Sequence, residues 1–137
     1  VQAEVADRLL ARPATKAYGR LSVLGQYGWE IGSVLRVPRT AFFPQPAVDS
    51  CCLVLRSRSA PSVAVDDERA FFAFVQRAFS HRRKTLVNCL VGAQAGGRQH
   101  VKRALEQLNL PTAVRGEVLS LEQLGRLYSL LQGMLES

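Results

Sequence analysis

The amino-acid sequence predicts an α/β segment followed by a small all-α domain. Over residues 1–58, two helical patterns alternate with two runs of strand-forming residues. Over residues 66–137, the apolar residues recur at helical spacing only, and the stretch 59–65 between them is rich in small residues and contains a proline. We therefore expect two domains joined by a linker at 59–65.

The first part begins with two predicted helices. Residues 2–11 carry an amphipathic pattern that Pro13 ends, because proline removes an N–H and clashes with the preceding turn. Residues 20–28 carry a second helical pattern that ends at Gly28. In this helix three residues are predicted to face inward: Leu21, Leu24 and Tyr27.

Two predicted strands follow. Trp29–Val37 ends at a proline, and Val48–Arg56 contains the apolar run CCLVL, which is typical of a strand inside a sheet. Two strands alone do not make a sheet that is stable in water. Because an apolar strand also needs neighbours that cover it, we expect residues 1–58 to belong to a larger domain. The chain opens on Val1 inside a structural element, so we expect a fragment.

The second part is predicted to contain four helices, over about 67–80, 83–91, 98–109 and 120–135. Asp66 or Asp67 caps the first helix, and Ser120 with Gln123 forms a capping box for the last. The core face of the first helix is predicted to consist of Phe71, Phe74, Val75, Ala78 and Phe79. The turns are marked by Gly92, Gly96, Gly97, Pro111 and Gly116.

Positive charge is concentrated in one segment. The net charge is +7, and no acidic residue lies between Glu68 and Glu106. The cations of that interval are Arg69, Arg77, Arg82, Arg83, Lys84, Arg98, Lys102 and Arg103. Like charges on one helix oppose its formation, so a segment of one sign indicates a polyanionic partner such as a nucleic acid. A basic face that is merely solvated is the alternative.

The sequence lacks the residue patterns that several classes of function require. There is no Gly-rich phosphate loop and no credible catalytic triad or pair of carboxylates. Cys51, Cys52 and Cys89 do not form a disulfide framework, and His81 and His100 alone offer too few ligands for zinc. We expect reduced cysteines, no metal and a cytoplasmic protein. No apolar tract of about 18 residues exists, so we expect no membrane span.

The stretch FFPQPAVDS at 42–50 could hold an aromatic ring at the edge of the sheet. Prolines stiffen the loop, and an exposed ring offers a platform on which a nucleobase can stack. Enzymes that modify a base hold it out of its stack between such faces. A hydrophobic plug is the alternative. Within this stretch, Asp49 is the only carboxylate in a position that suggests a special role.

The stretch AFSHRRKTLVNCL at 78–90 places a basic cluster, residues 81–84, at the junction of two helices. Cations there stabilise the carboxyl end of the preceding helix, but that needs one or two of them. We interpret the remainder as contacts to phosphate.

Four stretches together carry a resemblance to a known family. They are YGRLSV at 18–23, FFPQPAVDS at 42–50, FSHRRKTLVNCL at 79–90 and RGEVLSLEQLGRL at 115–127. In this order they resemble the carboxy-terminal half of the ribosomal-RNA adenine dimethyltransferases and cover nearly the whole chain. YGRLSV and RRKTL favour the branch that acts on small-subunit RNA.

The resemblance implies a Rossmann-like domain that binds S-adenosyl-L-methionine, of which residues 1–58 would be the last strands and helices. Residues 66–137 would be a helical domain that binds rRNA. The family's Gly-rich cofactor loop and its Asn-Leu-Pro-Tyr motif are expected upstream, so this chain alone is expected to be inactive. The implied activity places two methyl groups on N6 of each of two adjacent adenines during ribosome biogenesis, in a monomeric enzyme.

The resemblance also implies roles for individual residues. Phe42 matches the aromatic that stacks on the target adenine. The residues implied or predicted to bind RNA are Arg82, Arg83, Lys84 and Thr85 of the R-R-K-T motif, with Arg77, Lys102 and Arg103 from the same basic segment. The chain departs from the family's common residues at Ala47, Val87, Cys89 and Gly116, where Lys, Arg, Asn and Ala are frequent.

Two other functions remain open. A non-catalytic RNA-binding or ribosome-assembly module would keep the basic surface without methyl transfer. An antibiotic-resistance methyltransferase would share the F-x-P-x-P motif but modify large-subunit rRNA.

Overall fold

A computed structural model of the protein describes residues 1–91 and 97–136. They divide into two compact units, Val1–Ser62 and Val63–Ser137. The turns predicted at Gly92 and Gly96 lie outside the described residues.

The first unit contains two helices and a two-stranded antiparallel sheet. These elements are α1 (Ala3–Leu10), α2 (Arg20–Gly28), β1 (Trp29–Val37), a 3-10 turn at Arg39–Ala41 and β2 (Ser50–Ser57). The prediction of an α/β segment is confirmed, and β1 has the predicted bounds. β2 begins two residues later than expected because residues 48 and 49 still belong to the prolyl loop.

β2 has backbone neighbours on both sides at its beginning. On one side it pairs with β1, where Val37 lies opposite Ser50. On the other side Val1 and Cys51 exchange two backbone hydrogen bonds, of 2.7 and 3.0 Å. The chain's first residues therefore extend the sheet beside β2 before α1 begins.

The inward face of α2 differs from the prediction. Leu21 is 43% exposed, so its predicted inward position was wrong. Ser22 is fully buried instead, accepting the N–H of Gly19 at 3.1 Å and donating to the carbonyl of Arg8. A buried hydroxyl needs such partners, and they orient the helix so that Val23 and Tyr27 face inward with Ser22.

The second unit consists of helices in its described part. They are α3 (Glu68–Ala78), α4 (Leu86–Leu90), α5 (Gly97–Gln107), a 3-10 turn at Gly116–Val118 and α6 (Leu121–Glu136). The four predicted helices are all present, although α4 is shorter than expected. That this unit is an independent all-α domain stays a prediction.

The helix caps in this unit follow the sequence signals. Asp67 caps α3 by accepting the N–H of Ala70 at 3.2 Å. Ser120 and Gln123 form the predicted capping box, with reciprocal bonds of 2.9 and 3.1 Å. Such caps satisfy backbone groups that have no partner within the helix.

Aromatic and leucine side chains form the core between these helices. The ring of Tyr128 on α6 meets Phe71 and Phe74 of α3 edge-on, with centroids 5.5 and 5.6 Å apart. Gly116 approaches the backbone of Ala78 so closely that a Cβ would lie 2.6 Å from its carbonyl oxygen. This packing fixes the 3-10 turn against the end of α3.

Candidate functional site

The prolyl loop, residues 38–49, presents two phenylalanine rings between β1 and β2. Phe42 directly follows the 3-10 turn in extended conformation and remains 45% exposed. Phe43 is fully exposed. Nearly half of the surface of Phe42 thus faces solvent in this unit. An exposed aromatic ring is the kind of surface on which bases stack.

Asp49 joins the end of the prolyl loop to its beginning. Its carboxylate Oδ1 accepts the N–H of Arg39 at 2.8 Å, and its Oδ2 lies 3.7 Å from the guanidinium of Arg36. A cleft of about 390 Å³ opens beside these groups and the start of α1. The charged residues that line it are Glu4, Asp7, Arg36, Arg39 and Asp49.

The basic cluster, residues 81–84, forms the connection between α3 and α4. The Nε of Arg82 donates to Glu117 at 2.9 Å, and Glu117 also lies 3.9 Å from Arg115. The Glu117 side chain is only 22% exposed, whereas that of Arg82 is 57% exposed. Arg82 thus holds the cluster to the 3-10 turn, and one edge of its guanidinium is already used.

Arg83 and Lys84 are exposed cations of the cluster, and neither has an acidic partner in the ranges 1–91 and 97–136. The hydroxyl of Thr85 accepts the N–H of Asn88 at 3.3 Å and so caps α4. Thr85 keeps a proton that it can donate to a further acceptor. The two free cations and the hydroxyl follow one another at the start of α4.

The remaining predicted contact residues lie on α3 and α5. Arg77 is exposed in the last turn of α3, Arg103 is exposed on α5, and Lys102 is half-buried. Arg98 donates to the side-chain oxygen of Asn88 at 2.7 Å, which brings the first turn of α5 beside α4. Arg98 and Lys102 are four residues apart and share one side of α5.

Sequence reasoning missed two residues that shape these surfaces, Glu117 and Asn88. Glu117 gave no local signal because it lies 35 residues from Arg82. Asn88 joins α4 to Arg98 of α5, and of these two residues only Arg98 was indicated, by its position in the acid-free segment. Neither contact can be read from helical spacing.

Tyr18 of the YGRLSV stretch is buried in the first unit. Its side chain is 2% exposed. Removal from water raises the pKa of Tyr18 to about 12, because burial penalises the phenolate. The neutral phenol is therefore a packing residue of the first unit.

The described residues contain neither a cluster of metal ligands nor a membrane-spanning helix. In the part of the chain that the structure describes, no three His, Cys, Asp or Glu side chains gather where they could hold a metal ion. Within the same residues, no helix is both long and apolar enough to cross a membrane. The three cysteines are unpaired, with Cys52 exposed and the other two buried.

The sequence is similar to curated proteins over almost its whole length. Ribosomal RNA small subunit methyltransferase A of Geobacillus sp. strain WCH70 is 44% identical, over 98% of this chain and 47% of that protein. The protein of the same name from Streptococcus pneumoniae strain P1031 is 47% identical, over 97% of this chain and 47% of that protein. The chain thus spans about half the length of the curated relatives it matches.

Two solved structures share the fold. A dimethyladenosine transferase from Plasmodium falciparum matches with a TM-score of 0.74 at 22% identity, over 92% of this chain and 53% of that one. The 23S rRNA methyltransferase ErmE matches with a TM-score of 0.64 at 26% identity, over 96% and 52%. The family model described as ribosomal RNA adenine dimethylase matches residues 1–132. Because this family model matches nearly the whole sequence, the chain belongs to the ribosomal RNA adenine dimethylase family.

Proposed function

We propose that the protein carrying this chain is an S-adenosyl-L-methionine-dependent rRNA adenine N6-dimethyltransferase, and that this chain supplies its grip on the RNA. The observation that carries the proposal is the exposed ring of Phe42 in the prolyl loop of a chain that belongs to this family. The basic cluster supports it, because Arg83 and Lys84 present charge suited to a phosphate backbone.

The proposed substrate is small-subunit rRNA. The curated relatives are named for the small subunit, and YGRLSV and RRKTL favour the same branch. On this proposal, two adjacent adenines each receive two methyl groups during ribosome biogenesis. The enzyme would act as a cytoplasmic monomer on the assembling subunit.

Phe42 is proposed to position the adenine. A base inside a helix cannot present its N6 to a reagent, so it must leave the stack. The ring of Phe42 would then cover one face of the base, an interaction worth about 1–3 kcal/mol. When bound, S-adenosyl-L-methionine supplies the methyl group from a sulfonium centre, so the transfer requires no metal.

The cofactor site is proposed to lie outside this chain. The sequence contains no Gly-rich loop after a strand and no Asn-Leu-Pro-Tyr motif. The residues of this chain are proposed to bind and orient the RNA, and the isolated chain is proposed to be inactive.

Arg83, Lys84 and Thr85 are proposed to contact rRNA phosphates, together with Arg77, Lys102 and Arg103. Arg82 is proposed to contact phosphate as well, beside the bond that it makes to Glu117. Phosphate contacts of this kind place the protein on the RNA but carry no sequence information. Choice of the adenine would belong to the first unit.

Methyl transfer to isolated ribosomal subunits tests the proposal. Small and large subunits from cells that lack adenine dimethylation are incubated with the intact protein and labelled S-adenosyl-L-methionine. We expect label in small-subunit RNA as N6,N6-dimethyladenosine. Label in large-subunit RNA would favour the resistance-type enzyme, and binding without label would favour a ribosome-assembly module.

A further inference from the structure

We infer that Asp49 is a positioning residue, whose carboxylate holds the prolyl loop in the shape that presents Phe42. The inference rests on the proposed function, because the placement of Phe42 matters only if that ring contacts the substrate. It depends on three contacts that join Asp49 to the loop, to β1 and to α1.

The first contact fixes the 3-10 turn that precedes Phe42. Oδ1 of Asp49 accepts the N–H of Arg39 at 2.8 Å, and the carbonyl of Arg39 accepts the N–H of Phe42 at 3.4 Å. A short helical turn leaves its first N–H groups without internal partners, and an aspartate oxygen is a preferred acceptor for them. A chain of two hydrogen bonds therefore leads from the carboxylate to the backbone of Phe42.

The other contacts fix Asp49 itself. Its backbone carbonyl accepts the N–H of Ala3, the first residue of α1, at 2.9 Å. Its Oδ2 faces Arg36 of β1 at 3.7 Å, but the Arg36 side chain is 65% exposed, so this ion pair contributes little. The hydrogen bond to Arg39 is the contact on which the loop depends.

The composition of the loop explains why a side chain, and not the backbone, holds it in shape. Pro38, Pro44 and Pro46 cannot donate a backbone hydrogen bond. A loop with fewer backbone donors has fewer ways to offset the entropy of being ordered. The carboxylate at the end of the loop closes it onto its beginning instead.

The same geometry argues against a role as general base. A general base needs an oxygen within hydrogen-bond reach of the proton it removes. Here Oδ1 already accepts the Arg39 N–H at 2.8 Å, and the nearest group to Oδ2 among these contacts is the Arg36 guanidinium at 3.7 Å. Asp49 is therefore assigned to holding the loop, which is the contact that its geometry supports.

The test compares Asp49→Asn and Asp49→Ala in the intact protein, each alone and combined with Phe42→Ala. Asparagine keeps an acceptor for the Arg39 N–H, so we expect kcat within about threefold of the parent. Alanine removes the acceptor, and we expect kcat to fall about tenfold, the change that loss of one such bond gives. rRNA affinity should stay unchanged. Adding Asp49→Ala to Phe42→Ala should cause no further loss, because both act through one ring.

Amide hydrogen exchange of residues 39–42 gives an independent reading. Exchange should be about tenfold faster in Asp49→Ala than in Asp49→Asn. Equal exchange, additive losses in the double variant, or an Asn variant as impaired as the Ala variant would each overturn the inference. If Phe42→Ala alone leaves methyl transfer intact, the proposed role of Phe42 fails. Exchange then still decides whether Asp49 holds the loop.

Discussion

At the scale of single residues, the sequence indicated the type of functional side chain more readily than the individual residue that carries the function. The sequence indicated Phe42 through its prolines, and the ring is exposed as a stacking platform must be. It could not distinguish Phe42 from Phe43, since both lie before the same proline. The resemblance to a family made that choice, and only a functional measurement tests it.

Phe42→Ala in the intact protein should lower kcat for methyl transfer much more than it lowers rRNA affinity. Loss of one stacking contact is worth about 1–3 kcal/mol, which corresponds to roughly 5-fold to 150-fold in rate. Phe43→Ala is the matched control and should have a small effect. Kinetics on small subunits and a binding titration separate the two quantities. Equal losses in rate and affinity would contradict a positioning role.

Gly116 lies at a position where the resemblance led us to expect alanine. In this chain a Cβ there would meet the carbonyl oxygen of Ala78 at 2.6 Å. The sequence marked the position but could not show this contact, because the two backbones that approach each other are far apart in the chain.

Gly116→Ala should lower the free energy of unfolding by about 1–3 kcal/mol, the usual result of overpacking. The matched control is Gly133→Ala on α6, where nothing lies within 4 Å of the added carbon. That change should raise stability by about 0.5–1 kcal/mol, because alanine is the better helix former. Urea unfolding of both variants measures the difference. A neutral Gly116→Ala would show that the turn relaxes freely.

At the scale of elements, local signals located the helices and strands well. The capping box at Ser120 and the aspartate before α3 marked helix starts that the structure contains. The predicted inward face of α2 was wrong at Leu21 because Ser22 is buried instead, where it accepts the N–H of the helix's own cap residue Gly19 and donates to the carbonyl of Arg8 on α1. Likewise, the Arg82–Glu117 pair joins elements that spacing cannot relate.

Replacing the cations of the basic cluster should flatten the salt dependence of RNA affinity. Each phosphate contact contributes about 0.7–0.9 to the slope of log affinity against log salt. The double variant Arg83→Ala, Lys84→Ala should lower the magnitude of this slope by the contribution of nearly two phosphate contacts. Adding Arg82→Ala should lower it further. Affinity is titrated against rRNA at several salt concentrations.

The control for this series is Arg126→Ala, an exposed cation that pairs with Glu122 on α6 at 2.7 Å. It removes one positive charge from a surface that is not proposed to meet RNA, so the slope should stay the same. An equal change of slope per charge removed in the control would mean that net charge alone causes the effect. An unchanged slope in the triple variant would indicate that the cations stabilise the carboxyl end of α3 and do not contact phosphate.

At the scale of the whole molecule, the two units differ in how fully they bury apolar surface. Leu35, Val54 and Leu55 of the sheet are 58%, 44% and 46% exposed. In the second unit, helices α3 to α6 enclose a core of aromatic and leucine side chains. The exposed strands support the prediction that residues 1–58 belong to a larger domain. What covers them could not be derived from this sequence.

On this account, the chain binds RNA but does not bind the cofactor. Titration of the isolated 137-residue chain and of the intact protein, each with small-subunit rRNA and with S-adenosyl-L-methionine, tests it most directly. We predict that both bind rRNA with salt-dependent affinity and that only the intact protein binds the cofactor. Cofactor binding by the isolated chain, or failure of the isolated chain or of the intact protein to bind rRNA, would contradict the claim.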